Sequence, residues 1–148
     1  MKTRWKVVAS LVAFLLIYPC LGSAEEYTIN AQARVFVPDI LYIKSGDTVH
    51  FVNMTSHDSV SVEGLIPEGA EPWDGGLGNN VTLTLTVPGT YAYVCVPHIG
   101  FGMMGVIVVD EPKDIDQKLD WAKANLKGPY RRMIGKLLKV QRDAKGSS

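Results

Sequence analysis

The sequence predicts an all-β body, an antiparallel sandwich or barrel, followed by two short helices. Residues 81–87 alternate between apolar side chains and threonine, which is the period of a half-buried strand. Short apolar runs recur at close spacing from residue 27 to residue 109, with turn residues but no helical pattern between them. Beyond residue 110 the apolar period becomes that of a helix. These patterns disfavour a parallel α/β sheet.

The strands are assigned in chain order from these runs and the turns that bound them. Early strands are predicted in residues 27–37 and at residues 41–43. Gly46 and Asp47 open a strand at residues 48–53, and Pro88 and Gly89 turn the chain from residues 81–87 into a strand at 90–94. An apolar strand at residues 105–109 completes the body. We assign residues 25–110 to this β-domain.

The last segment, residues 111–148, contains two amphipathic stripes of helical period. The first stripe covers residues 115–126, and the second covers residues 130–140 after an interruption at Gly128 and Pro129. We predict that both stripes pack on the sandwich as a C-terminal extension.

The first 24 residues have the pattern of a secretory signal peptide. Three basic residues precede an apolar run at residues 7–18, and small residues at 22–24 precede Glu25. The run is shorter than the roughly 20 residues that a membrane-spanning helix needs. We therefore predict that residues 1–24 are removed on export, without stable membrane insertion, and that Cys95 is the single thiol of the mature chain.

The charged residues divide unevenly between body and tail. Residues 25–110 contain ten acidic side chains but only Arg34 and Lys44 as bases, whereas residues 111–148 contain ten basic and five acidic side chains. A basic tail could indicate nucleic acid or anionic lipid. Charges opposite an apolar stripe are more typical of a solvated helix face. We therefore predict no nucleic-acid partner.

Candidate metal ligands are concentrated between the last two predicted strands. Cys95, His98 and Met103 follow the spacing C-x2-H-x4-M, so a thiolate, an imidazole and a thioether share one loop. Each residue alone could be an ordinary core residue. An unpaired thiol in an exported chain is oxidised unless it is buried or ligated. Together the three side chains therefore predict a copper site.

A trigonal copper site needs a second imidazole, for which His50 and His57 are the candidates. His50 alternates with apolar neighbours in a predicted strand, which is typical of a solvent-facing residue, whereas His57 lies in a polar stretch at a strand end. We predict that His57 is the ligand. Zinc also accepts one cysteine and two histidines. Because a thioether is the weak axial ligand of copper and adds little for zinc, zinc is the minor alternative.

These residues resemble the small blue copper proteins, or cupredoxins, and among them the pseudoazurins. The resemblance extends over nearly the whole mature chain, through residues 36–38, 46–49 and 64–70, and includes the eight-residue step from Cys95 to Met103. It implies an eight-stranded Greek-key sandwich with one type 1 copper. The ligands that it implies are His57, Cys95, His98 and Met103.

Two positions depart from the pseudoazurin pattern, and both neighbour implied ligands. Asp58 stands where asparagine typically follows the first histidine, and Val96 stands where threonine typically follows the cysteine. An added carboxylate beside the metal is expected to lower the reduction potential. Met104, next to the implied axial ligand, is expected to be a core residue.

The resemblance implies a periplasmic, monomeric electron carrier and not an enzyme. Copper cycles between Cu(II) and Cu(I), and an electron passes through the exposed edge of His98, which Pro97, Ile99 and Phe101 surround as an apolar patch. A redox protein, such as a cytochrome c or a copper-containing reductase, is expected to dock there. Because pseudoazurins typically surround this patch with lysines and the body here has few bases, we predict a less acidic or basic partner, or docking chiefly by apolar contact.

Copper delivery or storage is an alternative function that uses the same four ligands. Metal exchange favours a labile, open site, whereas a tight loop and a buried thiolate favour a retained metal. A copper enzyme of related fold needs additional histidine-rich sites, and three histidines in the chain cannot supply them.

Overall fold

Eight β-strands form two four-stranded sheets in the computed structural model, which describes residues 22–146. The strands are β1 (Glu26–Gln32), β2 (Val35–Val37), β3 (Ile40–Ile43), β4 (Thr48–Val52), β5 (Val60–Ser61), β6 (Val81–Thr84), β7 (Gly89–Val94) and β8 (Met104–Val109). The first sheet has the order β2-β1-β4-β6 and the second the order β3-β8-β7-β5. The predicted all-β sandwich is therefore confirmed.

Two of the strand pairs run parallel, so the predicted antiparallel arrangement is wrong for them. β1 pairs with β4 and β3 pairs with β8 in parallel, while the other pairs are antiparallel. The chain leaves the first sheet after β2, forms β3 in the second, and returns as β4, so β1 and β4 become neighbours without a direct connection. The alternation of side chains indicates which face of a strand is buried but not the direction of its neighbour.

The strand assignments differ from the prediction by more than one residue in three places. Residues 27–37 form two strands because the chain turns at Ala33, where φ is 51°. The predicted strand at 81–87 ends at Thr84, and Leu85 instead exchanges backbone hydrogen bonds with Gly46 and Asp47 in the turn before β4. β5 was not predicted because two residues are too few to show a period.

The second sheet lies between two apolar cores, one against the first sheet and one against the C-terminal tail. The tail consists of α1 (Ile115–Asn125), a 3₁₀ turn (Gly128–Arg132, the tail turn) and α2 (Met133–Gly146). Its predicted apolar stripes are buried with one face of β7 and β8. Both strands are buried throughout because their opposite faces belong to the core between the sheets.

A buried tyrosine hydroxyl sits in the core between the sheets. The Tyr93 ring packs edge-on against Phe36 and Phe51, with centroids 5.0 Å away in both cases. Its hydroxyl has no hydrogen-bond partner within residues 22–146, and burial raises the pKa of Tyr93 well above its ordinary value. Gly105 makes room for the phenol, because a Cβ at that position would lie 2.2 Å from the Tyr93 Oη.

We expect Tyr93→Phe to leave stability unchanged or raise it by about 1 kcal/mol, because it removes a buried polar group without a partner. Tyr91→Phe is the matched control, since the Tyr91 hydroxyl donates to the Val87 carbonyl oxygen over 2.7 Å. This control should lose about 1 kcal/mol. Denaturant unfolding of both variants measures the difference. Equal losses in the two variants would show that the Tyr93 hydroxyl has a partner after all.

Within the described part of the chain, no helix combines the length and the apolar character that crossing a bilayer requires. The predicted signal peptide, residues 1–24, falls outside this part for its first 21 residues.

Candidate metal centre

Three predicted ligands meet at one end of the sandwich, where two segments of the chain come together. His57 lies in the turn after β4, held by a hydrogen bond from its backbone N–H to the Met54 carbonyl oxygen over 2.8 Å. Cys95 directly follows β7, and His98 lies in a 3₁₀ helix (Val96–Phe101, the loop helix) between β7 and β8. Strand β7 therefore places the thiol, and the loop helix turns the second imidazole back towards it.

The distances between the three donor atoms fit a single bound metal ion. His57 Nδ1 lies 3.1 Å from His98 Nδ1, and Cys95 Sγ lies 3.7 Å from His57 Nδ1 and 3.4 Å from His98 Nδ1. Bonds of about 2.0 Å to nitrogen and about 2.3 Å to sulfur, at angles of about 100–120°, separate ligand atoms by about 3.1–3.7 Å. One soft sulfur and two imidazoles form a donor set typical of copper.

Met103 is tied to the same cluster through the backbone. Its carbonyl oxygen accepts the Cys95 N–H over 2.9 Å, and its own N–H donates to the His98 carbonyl oxygen over 3.3 Å. The side chain is fully buried in the core between the sheets, together with Cys95. His57, Cys95, His98 and Met103 are thus positioned like a type 1 copper site. Met104 belongs to the core beside the tail, as predicted.

Asp58 connects the two segments that carry the donors. Its Oδ1 accepts the backbone N–H of Val96 over 2.7 Å, and the residue is 9% exposed. The bond joins the position after the first histidine to the position after the cysteine. The two positions that depart from the pseudoazurin pattern are therefore joined by a bond between the Asp58 carboxylate and the Val96 backbone. The Val96 side chain takes no part in this bond and faces solvent.

Burial favours the neutral forms of the two enclosed donors. It raises the pKa of the Cys95 thiol. It also lowers the pKa of His57, and the neighbouring His98 acts in the same direction. Within residues 22–146, Cys95 is a free and buried thiol. Because a metal binds the thiolate, a metal ion that enters this site displaces the thiol proton.

His50 lies away from the cluster, on the outer face of the first sheet. Its Nδ1 is 3.0 Å from the Thr82 hydroxyl, and its Nε2 is 3.5 Å from a carboxylate oxygen of Glu26. This position agrees with the surface role predicted for it.

Exposed apolar side chains lie in the same loop as the partly exposed His98, and the Phe101 ring lies with its centroid 6.2 Å from that of the imidazole. The predicted patch consists of Pro97, Ile99 and Phe101, of which Phe101 is 59% exposed; Val96, which is 46% exposed, was not predicted as part of it. Leu77, which is 65% exposed, was not predicted. It lies in the loop before β6, and the next residue, Gly78, donates its N–H to the His57 carbonyl oxygen over 2.9 Å. A lone leucine among glycines was the signal available in the sequence.

Comparison with known proteins agrees with this geometry. Residues 24–110 match the family model of copper-binding proteins, plastocyanin/azurin family. A pseudoazurin from Paracoccus pantotrophus is 32% identical over 117 residues, covering 74% of this chain and 81% of that protein. A chloroplast plastocyanin from Chlamydomonas reinhardtii is 41% identical over 111 residues, covering 69% of this chain and 75% of that protein.

Two solved pseudoazurin structures have a similar fold. The Sinorhizobium protein aligns with a TM-score of 0.65 and 36% identity, covering 78% of this chain and 93% of that one. The Hyphomicrobium denitrificans protein aligns with a TM-score of 0.65 and 30% identity, covering 77% and 97%. The chain therefore belongs to the plastocyanin/azurin family of copper-binding proteins, as a pseudoazurin-like cupredoxin of the electron-transfer type.

Proposed function

We propose that the protein is a periplasmic electron carrier that holds one copper ion through His57, Cys95, His98 and Met103. The observation that carries this proposal is the approach of two imidazole nitrogens and a fully buried thiol to within 3.1–3.7 Å of one another. Copper, when bound, supplies a reversible one-electron Cu(II)/Cu(I) couple.

The contribution of the chain is to hold the donor atoms still. Backbone bonds join Cys95 to Met103 and Met103 to His98, and Asp58 joins the His57 turn to Val96. A donor set held by the fold rearranges little when its charge changes. In the proposed site the Cys95 thiolate would supply the strong, covalent bond to copper and the Met103 thioether a weaker one.

The partly exposed imidazole of His98 is the proposed point of electron entry and exit. The apolar side chains around it form a surface on which a redox protein, such as a cytochrome c or a copper-containing reductase, can dock. The described body has few bases near this surface. Arg34 lies over the Phe101 ring, 3.9 Å from its centroid, and the tail adds Arg132. We propose that apolar contact contributes more to docking than charge does.

Phe101→Ser is expected to slow electron exchange with a physiological partner about tenfold, because a large exposed aromatic side chain at an interface centre often contributes more than 1 kcal/mol. The wild-type rate should fall only weakly as salt is raised. Tyr42→Ser is the control, since Tyr42 is also an exposed aromatic but lies on β3 away from the loop helix. Stopped-flow mixing measures the rates. Fast association with an acidic nitrite reductase that fell steeply with salt would contradict apolar docking.

Copper delivery or storage is the alternative function, and the burial of the thiol argues against it. Cys95 is 0% exposed and His57 is 5% exposed, so an acceptor protein has little access to the strongest ligand. Nothing in the proposed carrier requires a substrate bond to break, and we propose no enzymatic activity.

Repeated redox cycling of the copper-loaded protein separates these functions. We expect one electron per chain to be taken up and returned over many cycles while copper stays bound in the presence of a competing chelator. Loss of the metal to the chelator at each reduction would favour delivery. Size-exclusion chromatography tests the proposed monomer, and an N-terminus at Glu25 in protein from the periplasmic fraction tests the proposed export.

A further inference from the structure

The loop helix that carries His98 is held by a small number of contacts, among them the bond from the Val96 N–H to Asp58 and the packing of Ile99 against the core beside the tail. Cys95 and Met103, which flank it, are fully buried, but no residue of Val96–Phe101 is buried. Its backbone is interrupted at His98, where φ is −114° and ψ is 16°. The Gly102 N–H bonds to the Ile99 carbonyl oxygen over 2.9 Å, a contact within the same loop. The position of the imidazole therefore depends both on the backbone bonds within the loop and on side chains that hold the loop from outside.

Arg132, at the end of the tail turn, makes such a contact. Its guanidinium donates a hydrogen bond to the Gly100 carbonyl oxygen over 2.5 Å. The same side chain runs along Gly102, where a Cβ would lie 3.3 Å from the Arg132 Cδ. Gly102 has a φ of 83°, so a glycine at this position both permits the turn and leaves space for the arginine.

The backbone at Arg132 is held in place by its neighbours in the chain. Met133, the next residue, is 1% exposed and lies in the core beside the tail. The preceding residue, Arg131, donates to the carbonyl oxygen of Leu126 over 3.3 Å, and Leu126 is also part of that core. Arg132 therefore extends from a well-packed part of the tail to the backbone of the loop helix.

A second arginine holds the same loop from a different element. Arg34, in the turn between β1 and β2, lies over the ring of Phe101. The tail therefore contacts Gly100 through Arg132, and the β1–β2 turn contacts the next residue, Phe101, through Arg34. Of these two contacts, only the one from Arg132 is a hydrogen bond to the loop backbone.

We propose that Arg132 is a positioning residue of the metal centre. It fastens the loop helix to the helical tail, holds the His98 imidazole against Cys95 and His57, and slows the opening of the loop that would release the metal. The C-terminal tail then helps to position a ligand of the metal centre. This inference rests on the proposed copper carrier for its functional consequence.

Amide hydrogen exchange of the copper(I)-loaded protein tests the proposal. The Gly102 and Met103 amides bond to Ile99 and His98, so they exchange when the loop opens. Loss of one charge-assisted hydrogen bond at an exposed position should raise their exchange rates about fivefold in Arg132→Ala. Loss of copper(I) to excess bicinchoninate should accelerate by a similar factor.

Arg131→Ala is the matched control, because it removes the same side chain from the same turn but breaks contacts only within the tail. It should change neither the loop amides nor the copper loss. The Ala92 amide, bonded to the Leu65 carbonyl oxygen over 2.8 Å, reports on the core and should be unaffected in both variants.

Four results would overturn the proposal. Equal acceleration of the loop amides in both variants, or none in either, would remove the special role of Arg132. Acceleration of Ala92 to the same extent would indicate general destabilisation. Faster loop exchange with unchanged copper loss would leave Arg132 a structural contact only. The amide comparison can be repeated on metal-free protein, so it still tests the contact if the wild-type chain does not hold copper.

Discussion

Cys95→Ser is expected to abolish the intense visible absorption of the copper-loaded protein and to weaken copper binding by about a hundredfold or more. The thiolate is the soft, strongly covalent donor of the proposed set, and a serine hydroxyl stays protonated near neutral pH and is a much poorer ligand for copper. Visible spectroscopy and competition with a chelator of known affinity measure the two effects.

Met104→Leu is the control for this substitution. Met104 is a buried sulfur-containing residue next to Met103, but its side chain belongs to the core beside the tail. Its replacement by leucine should leave the spectrum unchanged. If Cys95→Ser retained the absorption of the wild-type protein, the thiol would not be a ligand and the copper assignment would be wrong.

Asp58→Asn is expected to raise the reduction potential by about 50–90 mV, equivalent to about 1–2 kcal/mol. An ionised carboxylate beside the site stabilises Cu(II), the more positive state, over Cu(I), so removing the charge favours the reduced form. The asparagine amide oxygen can still accept the Val96 N–H, and the tie across the site is therefore preserved. Protein-film voltammetry measures the change.

Asp47→Asn provides the matched control for charge. Asp47 is also a buried carboxylate that accepts backbone N–H groups, from Glu25 and Lys44, but it precedes β4 at the opposite end of the sandwich. The potential of this variant should stay close to that of the wild type. A potential that is unchanged or lower in Asp58→Asn would refute the electrostatic role given to Asp58.

Strands with one buried face could be predicted from the sequence, because burial of one face sets a period of two. The way in which those strands pair could not be predicted. The apolar–threonine alternation in β6 and the turn residues before β4 and β7 marked where those strands begin to within one residue, although the alternation continues three residues beyond the end of β6. The parallel pairing of β1 with β4 depends on where the chain crosses between sheets. No local hydrophobic period encodes that crossing. β5 was missed for a different reason, because its two residues are too few to show a period.

The proposed site was predictable because its donors are rare residue types with a characteristic spacing. The structure brings Cys95, His98 and His57 together, and the last of these comes from a segment far away in sequence. Leu77 and Arg132 could not be predicted in the same way, because leucine and arginine on a surface have many ordinary roles. The sequence predicted that the basic face of the tail is solvated, whereas Arg132 on that face donates a hydrogen bond to the loop helix.

The visible absorption spectrum of the purified, copper-loaded protein is the decisive test of whether the Cys95 thiolate binds copper. We expect an intense band at about 600 nm from the Cys95 thiolate on copper(II), at one copper per chain. A protein that stays colourless with stoichiometric copper, or that shows only the weak absorption of copper held by nitrogen and oxygen, would contradict this expectation.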